Sequence, residues 1–152
     1  MTEPYTEEHT PEENKLFLTS FNTNYKKVLD SLDELHRGSI FDADDSMQIA
    51  ALCLITQSAL IRVQADAEFR ARSLKRDIDF AKAAVYARLK QDSPDKKITE
   101  SSLTQLVNID SDVHRLYQDQ NVAEREAKEL GNVLLLLRDA HVTFRSIAKK
   151  GE

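Results

Sequence analysis

Tryptophan is absent from this 152-residue chain, and turn formers are scarce, with three Gly and three Pro. Too few residues of that kind remain for the many tight connections of a sandwich or barrel. A single cysteine, Cys53, excludes a disulfide framework and cysteine-ligated metal. It sits in the run Ile49–Ile55, where it reads as a small buried hydrophobe. Aromatics at 7% leave no large aromatic core. The chemistry of an enzyme is missing too. There is no glycine-rich phosphate loop and no nucleophile elbow. The four histidines, His9, His36, His114 and His141, lie far apart, and none is three or four residues from another His or Cys. Nothing matches the paired Glu and Glu-x-x-His set of a di-iron bundle. The expectation is a non-catalytic protein without metal or cofactor. The acidic N-terminus is the opposite of a signal peptide. The apolar stretch 47–63 is broken by Gln48, Thr56, Gln57, Ser58 and Arg62, so it does not read as a membrane span. The cytoplasm is the expected compartment.

What the chain does have is helix. Charged residues make up 31%, and Ala, Leu, Lys, Arg, Glu and Gln dominate. Residues 1–13, with five Glu, offer nothing to bury and read as a disordered acidic tail. The remainder, 14–152, reads as a single all-α domain with helices over about 14–37, 46–91, 100–108 and 111–149. The first carries Leu16, Phe17, Phe21, Tyr25, Val28, Leu29, Leu32 and Leu35 at spacings of three and four, and Gly38 stops it. Asp44, Asp45 or Ser46 can cap the second, which contains no Gly or Pro between Ser46 and Gln91. Its seam is Ile49, Cys53, Thr56, Leu60, Val63, Ala67, Ala71, Leu74, Ile78, Ala81, Val85 and Leu89. Asp92-Ser93-Pro94-Asp95 breaks it, Thr99 caps a short helix, and Asp110 or Ser111 caps the last.

The final helix repeats the register with Val113, Leu116, Gln120, Ala123, Ala127, Leu130, Leu134, Leu137, His141, Phe144 and Ala148, and His141 reads as a satisfied or register-setting polar residue. Gly131 interrupts it at a cost of about 1 kcal/mol. Two long helices with a short connector form an antiparallel, coiled-coil-like hairpin, with the N-terminal helix and a connector helix added. A helix of roughly 65–70 Å at 1.5 Å per residue cannot bury itself in a small globule. Toward the open end, 47–63 and 133–148 carry more apolar surface than one seam uses. The surplus, with Leu134, Leu135, Leu136, Leu137 and Phe144, is expected to meet other subunits of a homo-oligomer.

The net charge of −5 is unevenly spread: residues 1–45 hold eleven acids against four bases, the rest fifteen against seventeen. Arg70, Arg72, Lys75 and Arg76 cluster within two turns, Lys82, Arg88 and Lys90 follow, and Lys96 and Lys97 lie in the connector. Phe69, Phe80 and Tyr86 are interleaved among them. Bases beside aromatics suit single-stranded nucleic acid, with charge for the backbone and rings for unstacked bases. The plain alternative is a solvated charged face, since Asp66, Glu68, Asp77 and Asp79 interleave as well, with Phe80 in the hairpin core. Glu124, Glu126 and Glu129 read as solvated charges beside Arg125 and Lys128.

From about Ala65 to Ile147 the chain resembles the UvsY-like recombination mediators of bacteriophages. The pattern is carried by Arg70–Arg76, Ala81–Leu89, Lys97–Glu100, Val107–Val113, Leu134–Arg138 and Phe144-Arg145. The resemblance implies a homo-oligomer in the host cytoplasm that binds single-stranded DNA and helps a RecA-like recombinase displace single-strand-binding protein. It implies DNA contacts at Arg70, Arg72, Lys75 and Arg76, with Lys82 and Arg88 continuing the basic track, and assembly through the C-terminal helix. Two other classes stay open: a coiled-coil adaptor, and an inhibitor whose acidic N-terminus mimics nucleic acid.

Overall fold

A computed structural model of the protein describes residues 11–92 and 98–151, the first eight of them as helix backbone. Four helices follow in order: α1 (Pro11–His36), α2 (Ala43–Asp92), α3 (Glu100–Asn108) and α4 (Ser111–Lys150). The fold is all-α, with long α2 and α4 packed antiparallel, α1 added at the N-terminal side and α3 in the connector. Most of the expected tail, and the Pro94 break with Lys96 and Lys97, lie outside the described residues.

The helix ends follow from local chemistry. Gly38 takes φ 88° and closes α1, with its N–H donating to Leu35 O and that of Ser39 to Glu34 O. This paired closure satisfies carbonyls left open at the last turn, and glycine adopts its left-handed conformation without a Cβ penalty. α2 starts earlier than expected, because Asp42 is the cap: its Oδ1 accepts from the Asp45 N–H at 2.7 Å. Thr99 caps α3 by accepting from the Ser102 N–H at 3.2 Å. Asp110 caps α4, its Oδ1 accepting from Asp112 and Val113 N–H at 3.0 and 3.3 Å.

The chain forms two compact units, one comprising residues through Ile61 together with those from Val133 onward, the other Arg62–Asn132. In the first, Val28, Ile49, Ala50, Cys53, Thr56, Leu60, Leu137, Ala140, Phe144 and Ala148 are buried. Phe41 from the α1–α2 loop meets Phe144 edge to face at 5.4 Å between centroids. His141 Nδ1 donates across from α4 to the Ala50 carbonyl at 3.0 Å, so the seam histidine is a satisfied core residue. Thr56 donates its hydroxyl to Leu52 O at 2.7 Å. Burial pushes the Cys53 thiol up to about 11, as suits an inert core cysteine.

In the second unit α2 and α4 meet on small side chains, Ala67, Ala71 and Ala123, and the far end is closed by Val85, Val107 and Val113 with Ala81, Tyr86, Leu89 and Tyr117 against them. One seam position shifts: Val63 is exposed and Gln64 is half-buried instead. Gln64 lies beside Gly131 of α4 and donates its side-chain amide to Glu68 at 2.8 Å.

Candidate nucleic-acid interface

At 100° per residue, helix positions seven and eleven apart return to nearly the same face. In the second unit this brings Arg62, Phe69, Arg76 and Phe80 of α2 onto one stripe, facing away from the buried Ala67, Ala71 and Ile78, with Arg72 exposed roughly 65° to one side. Both rings stand in solvent, Phe69 66% and Phe80 76% exposed. Phe80 is therefore not a core residue.

The cations on this stripe are lightly held. Arg76 donates to the Ser73 hydroxyl at 3.3 Å and has no ion pair among the described residues. Arg72 reaches Glu68 at 3.3 Å, one turn back, with the Arg side chain 78% exposed. An exposed pair of that kind contributes little and exchanges readily for another anion. Arg62 and Lys75 are exposed and form no ion pair among the described residues. Asp66 and Asp77 flank the stripe on one side, and on the other Asp79 shares the face of Arg72, seven residues before it, with Glu68 just beyond.

The other expected contacts have structural partners. Arg70 pairs with Glu126 of α4 at 2.7 Å, so Glu126 is a cross-helix tie rather than a merely solvated charge. Arg88 pairs with Asp110 at 3.0 Å, and the Asp110 side chain is only 16% exposed. The Asp110 carboxyl lies below its ordinary range, held there first by the Val113 N–H, then by the Asp112 N–H and Arg88, against partial desolvation. Lys82 is half-buried with its ammonium 4.9 Å from the Tyr117 ring centroid. Tyr86 donates its hydroxyl to Glu100, 2.9 Å from each carboxylate oxygen, under the Lys90 ammonium at 4.7 Å. These groups tie α2 to α3 and α4, although the Arg70 and Arg88 side chains remain 61% and 62% exposed.

Of the six expected DNA contacts, the stripe includes Arg76, Arg72 lies at its edge, Lys75 is exposed further round, and Arg70, Lys82 and Arg88 have the partners just described. Arg62 was missed because it reads as an interruption of the apolar run. The signal that finds it is its spacing of seven from Phe69 and fourteen from Arg76.

The expected assembly contacts divide similarly. Leu137 and Phe144 are fully buried within their own unit, which removes both from the surface open to a second copy; Leu134 and Leu136 are half-buried, and Leu135 is exposed. Among the described residues no group of three or more His, Cys, Asp or Glu is placed to hold a metal ion. α2 is long and apolar enough by composition to cross a membrane, with one window of mean hydropathy 1.4 that is 33% buried within the protein. No family model, curated protein or solved structure matches the chain.

Proposed function

We propose that this protein is an oligomeric, non-catalytic single-stranded-DNA-binding mediator that assists the loading of a RecA-like recombinase. The observation that carries the reading is the pairing of two solvent-exposed phenylalanines with Arg62 and Arg76 on one face of α2, with Arg72 at its edge. Exposed rings are costly on a face that only meets water. Unstacked bases cover them without regard to sequence, while the guanidinium groups neutralise phosphates alongside. Duplex DNA has its bases already stacked, so the rings favour single strands. The resemblance to UvsY-like mediators over residues 65–147 supplies the recombinase and single-strand-binding protein as partners. Each subunit contributes one modest stripe, and several held together raise affinity through effective concentration.

The adaptor reading uses the same exposed apolar side chains to bind a protein, and a single titration separates the two. Fluorescence anisotropy with a labelled single strand, at low salt, shows saturable binding that an equal length of duplex does not match. Replacing Phe69 and Phe80 with Ala weakens it by about 1–3 kcal/mol for each base that stacks, with helicity unchanged. Absence of binding to single strands at low salt excludes the mediator and leaves the adaptor.

A further inference from the structure

Phe69 and Phe80 are eleven residues apart on one face of α2, and both stand in solvent. At 1.5 Å per residue they are separated by about 16.5 Å along the helix axis. Bases that remain stacked in a strand follow one another at about 3.4 Å, and pulling the strand out to roughly twice that rise gives about 7 Å per nucleotide. Neighbouring bases therefore cannot reach both rings. Between the rings the helix offers charge and no further platform, since residues 70–79 include no aromatic. Arg76 shares the stripe, and its guanidinium turns back to the Ser73 hydroxyl at 3.3 Å, inside the interval that the rings bound.

We infer that the two rings take bases from a strand that is extended between them, with one or two intervening nucleotides left unstacked and their phosphates over Arg76. This rests on the single-strand reading proposed above and adds to it the spacing at which bases are held. At about 7 Å per nucleotide the strand crosses the interval in two or three steps. Charge sets its path. A phosphate in line with the rings meets Arg76. Displaced to one side it meets Asp66 and Asp77, and to the other Asp79 and Glu68, where Arg72 is already paired with Glu68 at 3.3 Å. A run of stacked bases clamped between the rings would fit a similar length, but it carries its backbone off to one of those acidic sides. Every base has a π-face, so the spacing selects strand extension and not sequence.

A strand of abasic nucleotides carrying only two thymines tests the inference, with the number of abasic nucleotides between them varied. Binding to the full chain is read by fluorescence anisotropy at low salt. Adjacent thymines bind about as tightly as a single one. With one or two abasic nucleotides between them, affinity rises by roughly 5- to 150-fold, the value of a second stacked base, and it falls again as the gap widens. Phe69→Ala and Phe80→Ala each bring the profile down to the single-base level, with helicity unchanged.

Failure of the wild type to bind an all-thymine strand of the same length would sink the single-strand reading and this inference with it. Binding of that strand with no optimum in the spacing overturns the inference alone. So does an optimum that survives Phe80→Ala, which would assign the two bases to rings of different subunits. Four contiguous thymines that outbind every spaced pair would mean a clamped stack and overturn it as well.

Discussion

Phe80 and Phe144 lie on long helices among similar neighbours, yet one stands in water and the other has no exposed surface. The difference is one of helical phase. Phe144 falls in the heptad series through Leu137, and that much is legible in the chain. Phe80 falls two residues past Ile78, which is about 200° around the helix and nearly opposite the seam. Mutation separates their roles: Phe144→Ala costs about 3–5 kcal/mol in a denaturant titration, as for other emptied core sites. Phe80→Ala leaves the midpoint in place and is seen only in DNA affinity. Asp110 is a different kind of site, where a cap and an ion pair share one carboxylate. Its folded-state pKa is depressed, so its contribution is fully present above the ordinary carboxylate value and is lost as pH falls through the depressed one. Asp110→Ala therefore melts below wild type at neutral pH, and the gap closes in strong acid. Asp110→Asn keeps the capping oxygen, loses the pairing with Arg88, and falls between the two. Which cations were committed to such ties could not be read from the chain, because Arg70–Glu126 and Arg88–Asp110 depend on where α4 lies beside α2.

The helices themselves were largely legible. α3 spans the expected 100–108, and α4 runs one residue past the expected 111–149. Thr99, Gly38 and Asp110 announce their ends by capping chemistry that depends only on near neighbours. The start of α2 was misplaced: the expected caps were Asp44, Asp45 or Ser46, whereas the backbone selects Asp42 upstream of all three. The Val63–Gln64 exchange was hidden for another reason. A gap of seven from Leu60 to Ala67 can be bridged at either position, and spacing alone does not choose; Gln64 lies beside Gly131 of the partner helix. That glycine offers a direct test of the packing. A Cβ built on Gly131 would meet only the Gln64 Nε2, at an ordinary 3.7 Å. Gly131→Ala thus relieves the helix of glycine's unfavourable propensity without a clash, and raises stability by about 0.5–1 kcal/mol in the same titration. A drop instead would mean that α2 and α4 approach more closely there than the geometry gives.

For the whole molecule, the proposed binding of DNA by an acidic chain needs charge arranged locally. Eleven of the acids lie in residues 1–45, and the stripe on α2 carries Arg62 and Arg76, with Arg72 at its edge, despite a net charge of −5. Composition could not reveal this, and helical phase combined with the pattern of ion pairs does. The central claim is that these arginines meet phosphates, and the salt dependence of single-strand binding tests it most directly. The slope of log affinity against log salt shrinks by roughly 0.7 for each single-strand phosphate that is no longer neutralised. Arg72→Gln with Arg76→Gln should flatten it by about 1.4 with the melting temperature unchanged. Arg88→Gln should lower the melting temperature and leave the slope as it was. A double variant with the wild-type slope would contradict the account.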